Sequence, residues 1–203
     1  MGKIKLTKGE LKRQRDALKQ YQRYLPTLQL KKQQLQIEIL HQVSLLEKKR
    51  EEERMRLEDI LLWAGLLSDR FLDIRPWVRP QKTKEGLRNI AGVDLSVFEG
   101  AEFAFAEYDL FEAPLWVDAA ITALQGLVSL RKEIAIIEKG IGILKQELRI
   151  TTQRVNLFEK VKIPEAEEAI RIIKIYIGDQ MANAVGRSKI AKRKIEELVS
   201  LAV

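Results

Sequence analysis

One hydrophobic repeat in the C-terminal half of the chain constrains the fold more than any other feature. Apolar residues recur there at alternating intervals of three and four residues, and nine of its ten positions are apolar. A repeat of this kind that continues beyond four heptads predicts a long helix whose narrow apolar stripe is buried in a coiled coil. The ten positions are Leu127, Leu130, Ile134, Ile137, Ile141, Leu144, Leu148, Thr151, Val155 and Phe158.

A second, looser apolar stripe marks the N-terminal third of the chain. Thr7 and Glu10 form a T-x-x-E capping box, which predicts a helix start at this point. Apolar residues then follow a seven-residue stride as far as Leu67, which predicts one long helix to about Arg75. We expect a kink at Pro26, because proline removes a backbone hydrogen bond inside a helix.

The segment between the two stripes is rich in glycine, proline and acidic residues. It predicts short strands at 86–92 and 95–99, with a further extended piece around Phe103, Phe105 and Tyr108. Trp63, Trp77 and Trp116 flank the joins with the long helices, where we expect them to anchor packing. The predicted divisions are an N-terminal long helix over 1–75, a middle region with a short β-hairpin over 76–113, and a C-terminal long helix over 114–203.

The predicted fold class is therefore mainly α, with two long helices forming an antiparallel coiled coil and a small middle region containing a β-hairpin. Only an antiparallel pair lets two helices joined by a compact segment bury their stripes on each other. We expect the numbers of facing residues to sum to roughly 200, which would place Leu46 near Val155.

Charge is distributed unevenly along the chain. The formal net charge is +7, but residues 1–32 carry +8, residues 85–118 carry −7 and residues 181–203 carry +3. Such polarity is typical either of solvated helix faces or of separate docking surfaces for partners of opposite sign. In an antiparallel pair we expect two basic runs to converge at one tip, formed by Lys12, Arg13, Arg15, Arg187, Lys189, Lys192 and Arg193.

The sequence offers no set of residues typical of catalysis, a cofactor site or a metal site. It contains no cysteine, one histidine (His41) and no G-x-x-x-x-G-K-S/T phosphate-binding loop. Acidic runs such as Glu51 to Glu53 are flanked by lysine and arginine and are typical of solvated helix faces. We therefore expect a protein that is not an enzyme. The sequence also lacks an apolar stretch of membrane-spanning length and an N-terminal signal-peptide pattern, so we expect a cytoplasmic location.

Two segments resemble the D subunit of V-type (vacuolar and archaeal-type) rotary ATPases. The segment 152–164, TQRVNLFEKVKIP, is similar to that family's R-R-V-N-A-L-E-x-V-x-I-P signature, and 92–99, GVDLSVFE, is similar to its G-V-x-L-P-x-F/L-E stretch. Gln153 and Phe158 depart from the first pattern. The matching positions are Arg154, Val155, Asn156, Glu159, Ile163, Pro164, Gly92, Val93, Leu95, Phe98 and Glu99.

The resemblance implies a central rotor shaft that couples ATP hydrolysis or synthesis to proton or sodium transport. It implies as partners the ring of catalytic and nucleotide-binding subunits (A and B), the small central-stalk F subunit and a funnel subunit joined to the membrane ring. It implies a peripheral position on the cytoplasmic face of a membrane, and no cofactor or nucleic acid. From the residues alone, a basic coiled-coil module that binds nucleic acid or a scaffold partner remains the alternative.

Overall fold

The computed structural model describes residues 5–68, 73–109 and 113–201. Long helices dominate, and a two-stranded antiparallel sheet lies between them in the sequence. In chain order the elements are α1 (Lys8–Leu61), a 3₁₀ segment (Ala64–Ser68), α2 (Arg75–Val78), β1 (Pro80–Ile90), β2 (Val93–Phe103), α3 (Trp116–Leu157), a π-helical turn (Phe158–Lys162) and α4 (Ile163–Leu201). The predicted fold class is confirmed.

The first helix begins where the capping box predicts. The Glu10 amide donates a hydrogen bond to the Thr7 hydroxyl at 3.2 Å, which satisfies one free N–H of the first turn. α1 continues through Pro26, but it ends at Leu61 and not near Arg75. The Trp63 amide donates to the Ile60 carbonyl, and the Leu66 amide to the Trp63 carbonyl. These tighter bonds end the α-helix in a 3₁₀ segment that contains the helix-disfavouring Gly65.

The chain forms two compact units, each assembled from segments that are distant in sequence. The central unit comprises residues 31–150, and the terminal unit comprises residues 1–30 with 151–203. α1 and α3 each contribute to both units. No helix in the described ranges combines the length and the hydropathy needed to cross a lipid bilayer.

In the central unit, α1 and α3 run antiparallel, but their register differs from the predicted one. The Lys31 ammonium lies 2.8 Å from the Glu147 carboxylate, and the Lys49 ammonium lies 2.9 Å from Glu133. Leu46, three residues before Lys49, is therefore level with residues near Ile136, and the expected pairing with Val155 is wrong. The register moves because α1 ends well before the point that the apolar pattern suggests.

Two hydrophobic clusters hold the central unit together. In the first, which we call the seam cluster, Leu35 of α1, Leu95 of β2 and Leu144 of α3 are buried against one another. The second surrounds the start of α3, where Val117 and Ile121 are buried with Ile74. All three tryptophans pack against this second cluster, which confirms their predicted role as packing anchors; its remaining members are Ala120, Ala106, Tyr108, Ala113 and Leu124.

The hairpin is longer than predicted. Much of it is exposed and polar, so the alternation of apolar residues did not indicate its full length. β1 and β2 have eleven residues each, and Ile90 pairs with Val93 across a two-residue turn. Ala91 and Gly92 both adopt positive φ, at 51° and 77°, which is typical of the tight turn that joins two antiparallel strands. Of the predicted extended piece around Phe103, Phe105 and Tyr108, Phe103 lies in a strand and the other two residues do not, since β2 ends at Phe103.

In the terminal unit, α4 directly follows the π-helical turn of Phe158–Lys162. Pro164 is the second residue of α4, and it has no N–H to offer to a preceding carbonyl. The ring of a proline inside a helix also clashes with the carbonyl four residues before it. A local change of helical pitch just before the proline is an expected way to relieve that clash. The ring of Tyr21 in α1 lies 5.4 Å from the ring of Phe158, so Tyr21 is level with this turn.

The corrected register can be tested with paired cysteines, because the natural sequence contains none. We expect Lys49→Cys with Glu133→Cys to be joined rapidly by a short bifunctional thiol reagent in the folded protein. Lys49→Cys with Glu147→Cys is the matched control, since Glu147 lies 14 residues farther along α3, about 21 Å at 1.5 Å per residue. Gel mobility measures the extent of crosslinking. Equal crosslinking of the two cysteine pairs would contradict the register.

Candidate partner-binding surfaces

Ion pairs between α1 and α3 line the flanks of the seam in the central unit. The hydrogen bond that Lys49 donates to Glu133 raises the pKa of Lys49 above its ordinary value. Each of these partly exposed pairs contributes about 0–1 kcal/mol, so together they favour one register more than they add stability. The four pairs are Lys31–Glu147, Lys49–Glu133, Arg50–Glu138 and Arg131–Glu53.

The residues of the family signatures divide into buried and exposed groups. Val155 and Leu95 are buried, and Gly92 occupies the positive-φ position of the hairpin turn. The half-buried positions are Val93, Phe98 and Ile163. The exposed positions are Arg154, Asn156, Glu159, Pro164 and Glu99. The buried members therefore have structural roles in packing, and the exposed members are free to meet another protein.

The two basic runs do not converge at one level of the terminal unit. With Tyr21 beside Phe158, antiparallel helices place Arg13 level with about residue 166. Arg187 lies about 20 residues farther along α4, roughly 30 Å beyond that level. The runs are therefore separate surfaces: an α1 run of Lys12, Arg13 and Arg15, and an α4 run of Arg187, Lys189, Lys192 and Arg193.

The C-terminal part of α4 is exposed on every side. Ala166, Ala169, Ile170 and Ile173 are buried, but from Gly178 to Glu197 each residue is exposed. Burial ends at the level where α1 begins, because beyond it the described chain supplies no second helix. Sequence reasoning missed this free segment, although the loss of the regular apolar stripe after Ile177 is a signal of it. Its exposed apolar side chains are Met181, Val185, Ile190 and Ile195.

The candidate histidine and acidic side chains lie in ordinary surface pairs. His41 is exposed, and its Nδ1 lies 3.6 Å from Glu38 of the preceding turn, as expected for a surface histidine. The acidic runs are paired with basic neighbours, as in Glu51 with Arg54 and Glu168 with Arg171. Within the described ranges, no group of three or more potential ligands could hold a metal ion.

A small cavity of about 120 Å³ lies between the hairpin and the α1–α3 seam. Aliphatic side chains such as Leu45 and Ile136 account for much of its lining, and its charged lining residues are Arg88 and Glu133. Ser96 also lines the cavity, and Glu133 is paired with Lys49. A Cβ at Gly140 would lie 3.9 Å from Leu95, an ordinary van der Waals distance, so the packing here leaves room for an alanine.

Comparison with known proteins shows which family the chain is similar to. The profile of the family described as the D subunit of ATP synthase matches residues 10–193. The D subunit of the V-type ATP synthase of Borreliella burgdorferi is 45% identical over 195 residues, covering 96% of each chain. The proteins of the same name from Chlamydia pneumoniae and Chlamydia caviae are each 32% identical, covering 95% and 96% of this chain and 93% and 94% of their own length.

Proposed function

The chain belongs to the ATP synthase D subunit family, and we propose that, as a central-stalk subunit of a V-type ATP synthase, it transmits rotation between a catalytic ring and a membrane ring. Such a subunit carries torque and leaves the chemistry of ATP to its neighbours. The antiparallel α1–α3 seam, flanked by ion pairs on both helices, is the observation that supports this mechanical role. Paired helices resist bending and twisting better than a single helix does.

The finer assignment concerns the neighbours of the shaft. We propose that the α1 run and the α4 run face the inner wall of the ring of A and B subunits. The small F subunit and a funnel subunit would bind nearer the membrane ring, and the complex would lie on the cytoplasmic face. The exposed end of α4 supports a contact with the ring, because a helix without a partner in its own chain is available to another protein.

A co-purification experiment tests this assignment against the alternative of a basic module for nucleic acid, which the family match does not favour. The tagged chain should retain the A, B and F subunits from a co-expression culture, and nuclease treatment should leave their yield unchanged. Retention of nucleic acid without these subunits would support the alternative. An unrelated basic coiled coil carrying the same tag is the control for charge alone.

The isolated chain is expected to hydrolyse no ATP. The sequence has no phosphate-binding loop and offers no set of residues typical of catalysis. Phosphate release should remain at the buffer rate for the purified chain and should rise only when the ring subunits are added. Hydrolysis that persists through repeated purification of the chain alone would contradict this prediction.

A further inference from the structure

The apolar repeat of the C-terminal half loses step with the α-helix between Phe158 and Ile163. Up to Phe158 the repeat alternates between intervals of three and four residues, and an interval of four, ending at Lys162, would come next. The next half-buried apolar residue is instead Ile163, five residues on. From there the alternation is regular again, and all its positions are buried or half-buried. They are Ile163, Ala166, Ile170, Ile173 and Ile177.

One extra residue matters, because each residue turns an α-helix by about 100°. An unbroken α-helix would bring a different set of residues to the buried face of α4, and two of its five members would be charged. That set is Lys162, Glu165, Ala169, Ile172 and Tyr176. Exposure shows which set is used, since Ile173 is 0% exposed and Ile172 is 37% exposed.

The π-helical turn absorbs the extra residue. The Ile163 amide donates its hydrogen bond to the Phe158 carbonyl, which lies five residues back instead of the four of an α-helix. These are the same two residues between which the apolar repeat has its interval of five. The turn therefore adds one residue to the chain and leaves the apolar residues that follow it on the buried face.

The stripe of α1 in the same unit has no matching interruption. The terminal unit combines residues 1–30 with residues 151–203, and Tyr21 of α1 contacts Phe158. Half-buried residues of α1 at this level keep the alternation of three and four throughout. They are Leu11, Gln14, Leu18, Tyr21, Leu25 and Leu28. Only one helix of the pair therefore carries an extra residue.

Proline alone does not account for the π-helical turn. Pro26 also lies inside a helix of the terminal unit, and α1 remains α-helical through it. The half-buried residues on either side of Pro26 are Leu25 and Leu28, which keep the regular spacing. The two proline sites therefore differ in the extra residue, which is present only before Pro164.

We propose that the π-helical turn of Phe158–Lys162 is a phase-setting element, in which one extra residue fixes how α4 is rotated about its own axis against α1. The inference concerns the folded chain alone and does not rest on the proposed function. Its effect extends to the exposed end of α4, because that end continues the same helix. An α-helical path through the turn would rotate the α4 run by about 100° about the helix axis.

Thiol labelling of the purified full-length chain tests the proposal, because the natural sequence contains no cysteine. Ile172→Cys and Ile173→Cys, introduced one at a time, report the rotation of α4. With no other change, a polar maleimide should label position 173 at least about tenfold more slowly than position 172, because thiol reactivity follows exposure. An exchange of the two rates would indicate that α4 has rotated.

The first variant removes the extra residue. It combines deletion of Lys160 with Pro164→Ala, so that an uninterrupted α-helix can form. We expect labelling at position 173 to stay slow, because the apolar residues on the two sides of the deletion then have the spacing of a regular repeat. Fast labelling at position 173, or loss of helical circular dichroism, would overturn the proposal.

Pro164→Ala alone separates the extra residue from the proline as the cause of the turn. The extra residue remains in this variant, so we expect position 173 to stay slow and position 172 to stay fast. Exchanged rates at the two positions would show that the proline sets the rotation of α4, and would overturn the proposal.

Deletion of Arg171 is the matched control, because it removes one exposed residue of α4 from the regular part of the stripe. Position 173 then takes the angular place that Ile172 has in the natural chain, so its labelling should become about tenfold faster. Retained protection at position 173 in this variant would also overturn the proposal, because the stripe would then tolerate a missing residue at any point.

Discussion

Replacing Leu144 by alanine is expected to lower the free energy of unfolding by about 3 kcal/mol, within the 2–5 kcal/mol range of large-to-small substitutions in cores. Leu144 is completely buried, and it packs against Leu35 of α1 and Leu95 of β2. Loss of this side chain leaves a cavity at the point where two helices and the hairpin meet. Urea unfolding followed by helical circular dichroism measures the change.

Leu62→Ala is the control for the same chemical change at an exposed site. Leu62 is 88% exposed, so its truncation should alter the free energy of unfolding by no more than about 0.5 kcal/mol. Wild-type stability in the Leu144→Ala variant would show that the seam cluster does not hold the central unit together. The size of the difference between the two variants matters more than either value alone, because solvent effects on the unfolded chain are similar in both.

The C-terminal heptad repeat was readable from sequence because burial follows directly from helical period. Seven of its ten positions are buried, and Ile137, Leu148 and Phe158 are half-buried. Even Thr151, the polar member, is buried. The T-x-x-E box likewise identified the start of α1, since its hydrogen bond involves residues three apart. Features that depend on nearby residues were therefore predicted correctly.

The ends of helices and the contacts between distant residues were not predicted correctly. The apolar stride continues to Leu67, so it could not show that α1 ends at Leu61. An error in the end of one helix becomes an error of similar size in the register of an antiparallel pair. Nor could the repeat show that Leu95 completes the seam, because that contact joins the hairpin to two helices.

The candidate surfaces also divide into features that the sequence predicts and features that depend on the folded structure. Charge counts along the chain identified both basic runs, but their separation depends on register and so could not be read from the counts.

Neutralising the α4 run is expected to reduce coupled rotation in the assembled complex, whereas any one substitution within it should do little. Exposed ion pairs contribute about 0–1 kcal/mol each, so four charges together can change the ring contact substantially while one cannot. A weak contact of this kind suits a shaft that must leave one ring subunit and meet the next. The variant replaces Arg187, Lys189, Lys192 and Arg193 by glutamine.

The roughly 30 Å between the two basic runs makes the test more specific. Sites this far apart, which meet the ring at different levels, should have additive effects on torque and assembly. A single basic tip would instead make the α1 and α4 variants non-additive, because each would remove part of the same contact. The comparison uses the α4 variant, a glutamine variant of the α1 run, and the two combined.

Rotation assays at low and high salt decide between charge and packing as the source of the ring contact. Salt screens exposed charges, so it should weaken the natural complex and have less effect on the α4 variant. The variant also loses the pairs of Lys192 with Glu196 and of Arg193 with Glu197 within α4. Circular dichroism must therefore show that the helix persists. Unchanged torque in a folded α4 variant would show that these charges are only solvated and that apolar contacts carry the load.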